Sequence, residues 1–299
     1  MRSLAAVIVA LLVAATPVSL AGWGLDVHRF LTRRALDGLP PEMKPFYAAQ
    51  RDFIVEHSVD PDMWRTVSLK SERGEEDPNH FLDIDGLDDP APFKGVPRDW
   101  TAYVAKYGAE RANRAGRLPW RAEDIYKLLV ARFQDVGKGG PAYAADNARY
   151  LSAVLAHYVE DGHQPLHAVA NYDGQLTNQR GVHSRFESEL VLRNLSTMTL
   201  TPVTIRPIAN FRDFMFETVI ASQGLSGTVL AADLKATEGL EFYDDAYYAA
   251  FFKGARRLLE QRLSETASGV ASAIVAAWTE AGRPALPVAK PVAPARIRR

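Results

Sequence analysis

The chain has 299 residues, 47% hydrophobic and 24% charged, a globular composition long enough for one large domain or two small ones. A formal net charge of −1 argues against a partner held by general electrostatics, nucleic acid above all, but leaves room for a local cationic site. With no cysteine, thiolate metal sites and disulfides are both excluded.

Residues 1–22 read as a secretory signal. Arg2 is their only charge, Leu4–Ala15 form an apolar run too short to span a bilayer comfortably, Pro17 breaks it, and Ser19 and Ala21 fit a cleavage site. The mature chain is expected to be periplasmic or secreted; the alternative is an uncleaved anchor.

Helical spacing dominates the rest of the chain. Asp26–Leu36 sets Val27, Phe30, Leu31 and Ala35 at near-helical intervals, and Pro41–Val55 reads as a second helix closing before Ser58-Val59-Asp60-Pro61. Residues 71–100, rich in acids, Pro and Gly, read as a long loop. Trp120–Phe133 puts Ile125, Leu128, Leu129 and Phe133 on one side. Gly137–Pro141 breaks that pattern, and Ala144–Asp161 resumes it with Tyr150, Leu151, Val154, Leu155 and Tyr158. Val182–Leu192 is a further helix. Thr-rich residues 195–206 have room for a short extended segment, and Asp245–Ala281 is a long amphipathic stretch with Gly269 a candidate break. No period-two alternation lasts long enough to build a sheet, so the expected class is all-α, a multi-helical single domain over residues 23–282. The tail 283–299 has four prolines, five basic residues and no acid; it is expected to be disordered, either solvated or touching anionic head groups or wall polymers.

Five of the seven histidines, His28, His80, His157, His167 and His183, stand in patterns that suit a metal cluster. His157 and Asp161 are four residues apart on a predicted helix, so both side chains share a face and can meet one ion. His183 and Glu187 repeat that spacing. Gln164-Pro165 ends the first helix, because proline disfavours helical geometry in the residue before it, and the turn can return His167 to the same face. Asp161, with two oxygens, can lie between adjacent ions. Imidazole with carboxylate is the usual donor set of catalytic zinc; without a cation, clustered acids would raise one another's pKa.

The order His157-Tyr158, Asp161, Pro165-Leu166-His167 and Asn171 resembles the signature of the zinc-dependent phospholipase C superfamily, which also contains the fungal single-strand-specific nucleases. The likeness runs from Trp23 to about Glu187, departing at Glu160 and Gly162 and by one extra residue before Asn171. It implies a mostly helical fold holding three zinc ions. Carried over by motif, Trp23 as mature N-terminus would bind one ion with His28 and a bridging Asp161. Asp62, His80, His157 and Asp161 would bind a second, and His167, His183 and Glu187 the third. Pro61-Asp62-Met-Trp-Arg65 resembles the family's aspartate followed three residues later by arginine, with Asp60 the competing position. Asp62 is then implied to orient or deprotonate the attacking water, and Arg65 to stabilise charge on the phosphoryl group. Cleavage after Ala21 would leave Gly22 ahead of Trp23; cleavage after Gly22 would expose Trp23 itself.

Two substrates fit this resemblance. Glu187, where the nucleases use aspartate, and the lack of cysteine favour a phospholipase C acting on phospholipid at a membrane surface. His80-Phe81-Leu82-Asp83 matches the nucleases' base-stacking aromatic and base-reading aspartate, so single-stranded nucleic acid is the alternative. A metal-binding protein without catalysis is a third reading. His163 is expected to pack or to orient its neighbours, His57 to end a helix, and Asp85 to support the site or to belong to an acidic loop.

Overall fold

The computed structural model describes residues 23–68, 76–141 and 143–288. The expected signal segment and its cleavage point, and the tail beyond residue 288, lie outside the described residues. Every regular element within them is helical, and the one β-type pairing is an isolated antiparallel bridge between Leu82 and Gly116. The chain is all-α in its described parts.

Helix α1 (Leu25–Asp37) buries Val27, Leu31, Ala35 and Leu36, and the same buried set includes His28 and Thr32. Polar groups inside an apolar stripe are costly unless partnered, so α1 already points to a polar interior. The segment read as one helix is two, α2 (Lys44–Ala48) and α3 (Arg51–His57), because Gln50 adopts a non-helical φ of −136° and ψ of 33°. Helix α4 (Asp60–Ser68) comes directly after. The long loop contains 3-10 turns at Asp77–Asn79 and Ile84–Gly86. Two short helices then appear where the sequence pattern is silent: α5 (Trp100–Tyr107), capped by the Asp99 carboxylate accepting from the Ala102 amide, and α6 (Ala109–Ala115).

Helices α7 (Leu118–Gly137) and α8 (Tyr143–His163) form a hairpin and pack along one another. The second half of α8 is buried on every face from Ser152 to His163. A helix buried all round is normally apolar all round; this one carries His157, Glu160, Asp161 and His163. After a 3-10 turn at Pro165–Ala168 come α9 (Val182–Ser184), a π-helical turn (Arg185–Glu189) and α10 (Leu190–Asn194), where one unbroken helix was expected.

Helix α11 (Phe211–Ala236) was not foreseen, and α12 (Asp245–Glu280) runs 36 residues without a break. Gly269 does not interrupt it. It makes room for the His163 ring instead: a Cβ there would lie 2.6 Å from His163 Cε1. The Thr-rich segment is extended but pairs with no strand. Its amides at Thr199, Thr201, Thr204 and Arg206 donate to Glu260, Ser264, Ser268 and Ser272, a row one turn apart along α12. Residues 283–288, the first of the tail, lie against the helical body. The Pro284 carbonyl accepts from the Trp278 indole at 2.9 Å, and Leu286 packs against the core. No described helix is long and apolar enough to cross a membrane.

Candidate metal centre

The polar face of α1, the start of α4, His80 at the end of the Asp77–Asn79 turn, the end of α8, the turn after it, and α9 with its π-helical turn meet in one buried region. Three groups of side chains there could each hold a metal ion: His28 with Asp62 and His157, His80 with His157 and Asp161, and His167 with His183 and Glu187. All eight residues are buried.

Asp161 sits between the groups. Its Oδ2 lies 3.0 Å from His80 Nδ1 and 3.2 Å from His157 Nε2, while its Oδ1 lies 3.6 Å from His28 Nε2 and 3.5 Å from His167 Nδ1. His183 and Glu187, on successive turns, approach to 2.9 Å. His167 Nε2 and His183 Nε2 converge to 3.1 Å, as do His157 Nε2 and His80 Nδ1 to 3.0 Å.

Ring orientation depends on what holds the opposite nitrogen. The Nδ1 atoms of His157, His167 and His183 lie at 2.9, 2.7 and 3.0 Å from the main-chain carbonyls of Ser58, His80 and Tyr172. Bonded that way, Nδ1 carries the proton and Nε2 presents its lone pair to the centre, the usual arrangement of a metal-ligating histidine. His80 is turned the other way, with Nδ1 inward.

Whether a cation fits can be judged from the atoms left unsatisfied. His28 Nε2, Asp62 Oδ1, Asp161 Oδ1 and Glu187 Oε1 are buried without a hydrogen-bond partner among the described residues. Each such group costs about 1–3 kcal/mol if nothing meets it; these four belong to the candidate ligand groups. His80 Nε2, Arg34 Nε, Arg51 Nε, Asp83 Oδ1 and the Tyr103 hydroxyl are likewise unmet but do not face the centre through those groups. A cation shared by the first four nitrogen and oxygen donors fits that pattern.

The electrostatics agree. Burial pushes Asp161 well above the usual carboxylate range, the Glu187 charge adds to this, and Arg65 and His183 oppose it. Burial likewise raises Asp62 to about 7, with Asp161 adding and His157 and Arg65 opposing. Burial and neighbouring imidazoles hold His28 and His80 well below the usual histidine range, and burial with His183 does so for His167. Burial pulls His183 down, but the Glu187 charge and hydrogen bond, the Asp173 charge and the Tyr172 carbonyl together raise it.

The other sequence-picked residues have clear places. Asp62, not Asp60, enters the centre; the Asp60 carboxylate is bound by His57 at 2.8 Å and Tyr150 at 3.0 Å. Arg65 bonds Asp77 through Nε at 2.5 Å, and its guanidinium acts on Asp62, Asp161 and Glu187. Trp23 is buried, its indole donating to the Glu160 carbonyl at 2.8 Å. Any role for its amino group depends on the cleavage point, outside the described residues. His163 does not face the centre: its Nδ1 meets the Val159 carbonyl at 2.8 Å and its ring lies near Phe214. Asn171 braces its own turn through Thr177 and Leu176.

A cleft of about 100 Å³ opens onto the centre, walled by Arg65, Phe81, Asp83, Leu166, Tyr172 and the candidate ligands His80, His167 and His183. Burial, with Asp85 and Asp77 nearby, raises Asp83 to about 8. The bridge from Leu82 to Gly116 fixes this wall. Gly116 has a φ of +97°, and a Cβ on it would strike the Phe81 carbonyl at 2.1 Å. Larger grooves of about 750 and 700 Å³ flank residues 199–210 but contain none of the ligand groups.

Sequence reasoning missed three supporting residues. Glu160 and Thr32 stand behind His28, and Gln164 bridges His183 Nε2 at 3.1 Å and Glu187 Oε2 at 3.0 Å. The buried face of α1 was the available signal for Thr32. Comparison with protein-family models and with curated proteins finds no match for this chain.

Proposed function

We propose that this chain is a zinc-dependent phosphodiester hydrolase, most specifically a phospholipase C that frees diacylglycerol and a phosphorylated head group, working in the periplasm or outside the cell. The observation that carries the reading is the set of three buried histidine–carboxylate groups meeting at Asp161 beside a cleft that holds a guanidinium. Nitrogen and oxygen donors without thiolate suit zinc, and the superfamily resemblance points the same way. Zinc bound there would supply Lewis acidity to phosphate oxygens and lower the pKa of water.

The chain's own residues divide the remaining work. Asp62 Oδ1, buried and without a hydrogen-bond partner, is placed to accept the proton of the attacking water. Arg65, held by Asp77, offers a planar guanidinium to phosphoryl oxygens. Phe81, Leu166 and Tyr172 give the cleft apolar walls that exclude water from the reacting bond.

A single-strand-specific nuclease is the second reading, favoured by the pairing of Phe81 with Asp83 in that cleft, an arrangement able to stack and read a base. A binding protein without catalysis separates from both by one substitution. Asp62→Asn is expected to cut turnover by about 10²-fold or more while zinc analysis still finds most of the metal bound. Turnover equal to wild type would remove Asp62 from its role.

A further inference from the structure

Helix α8 carries a buried carboxylate outside all three ligand groups. Glu160 precedes Asp161 and is fully buried, with Oε2 2.5 Å from His28 Nδ1 and Oε1 accepting from Thr32 Oγ1 at 2.8 Å. His28 and Thr32 are four residues apart on α1, so both reach the same carboxylate. His157, His167 and His183 are oriented by main-chain carbonyls, which any residue supplies. His28 relies on a side chain, and its Nε2 is one of the atoms left without a partner on the side of Asp161.

We propose that Glu160 is a positioning residue for a metal ion at His28, holding the proton on Nδ1 so that Nε2 presents its lone pair, with Thr32 fixing the carboxylate in turn. The proposal rests on reading the centre as a metal site and is independent of the substrate. Outer partners of this kind are worth about 10–100-fold in metal affinity.

The test uses the full chain loaded with zinc and challenged with graded chelator, counting zinc per chain, for wild type, Glu160→Ala, Glu160→Gln and Thr32→Val. Glu160→Ala should release one ion at about 10–100-fold lower chelator than wild type and leave the other release steps in place. Thr32→Val should move the same step less. Glu160→Gln, whose amide oxygen still accepts from Nδ1–H, should restore most of it. Nitrogen-15 imidazole spectra should show one fixed His28 tautomer in wild type and Glu160→Gln, and exchange between tautomers in Glu160→Ala. A purely structural role would lower stability without moving that signal. An unmoved release step in Glu160→Ala overturns the proposal while leaving the metal centre intact. Should that variant not fold, an unmoved step in Thr32→Val overturns it. A wild-type chain that retains no zinc overturns both the proposal and the metal reading.

Discussion

Asp62 sets how the centre responds to pH. Burial raises its carboxyl to about 7, so without a cation the folded chain holds that proton more tightly than the unfolded chain does. Its contribution to stability is therefore fully present below the unfolded value of about 4 and is lost as pH rises through 7. A cation needs the carboxylate, so uptake below pH 7 must displace the proton. His28, His80 and His167, held below their usual range, enter neutral and have none to give. Zinc titration in weak buffer at pH 6 should thus release about one proton fewer from Asp62→Asn than from wild type, with the gap closing at pH 8. Equal release at pH 6 would contradict the assignment. That these histidines and carboxylates gather in buried groups able to hold a metal was legible in the sequence, because histidine and carboxylate at helical spacing are rare on a buried face. Glu160 and Gln164 were not, since a carboxylate or amide that serves another side chain leaves no spacing signature.

Among the elements, the π-helical turn does the most to shape the centre. It carries Arg185 between His183 and Glu187, and Arg185 is tied to the fully buried Asp233 of α11 at 3.0 Å, with Gln179 and Tyr247 also donating to that carboxylate. Removing one partner of a buried ion pair leaves the other charge unpaired. Asp233→Ala should therefore cost about 3–5 kcal/mol in chemical denaturation and weaken zinc retention at His167, His183 and Glu187 before the other groups. A cost below 1 kcal/mol would remove the lock. The helices α1, α7 and α8 could be read from apolar periodicity. Helix α11 could not, because Thr218, Ser222, Ser226 and Asp233 are buried on it and blur its apolar stripe. Ser222, for example, donates to the Gly162 carbonyl and accepts from Arg262. Helices α5 and α6 are too short, and too near Gly108 and Gly116, to leave a pattern.

For the whole molecule, the centre joins segments far apart in sequence: α1, α4, the Asp77–Asn79 turn with His80, the end of α8 and the segments from Pro165 to Glu189. With no cysteine, no disulfide assists them. An ion present at a thousandfold excess over its dissociation constant adds about 4 kcal/mol, which in a chain of this size is roughly 6 °C in Tm. Calorimetry with and without chelator should show at least that drop; an unchanged Tm would mean the groups hold no metal that matters to folding. The most direct measurement is hydrolysis. The zinc-loaded chain beginning at Trp23 should release diacylglycerol from phosphatidylcholine micelles, leave single-stranded DNA intact beside them, and lose that activity in chelator. Nucleotide release with the lipid untouched would make Phe81 and Asp83 a base pocket and favour the nuclease. Release of neither product from a zinc-replete chain would contradict the account of a phosphodiester hydrolase.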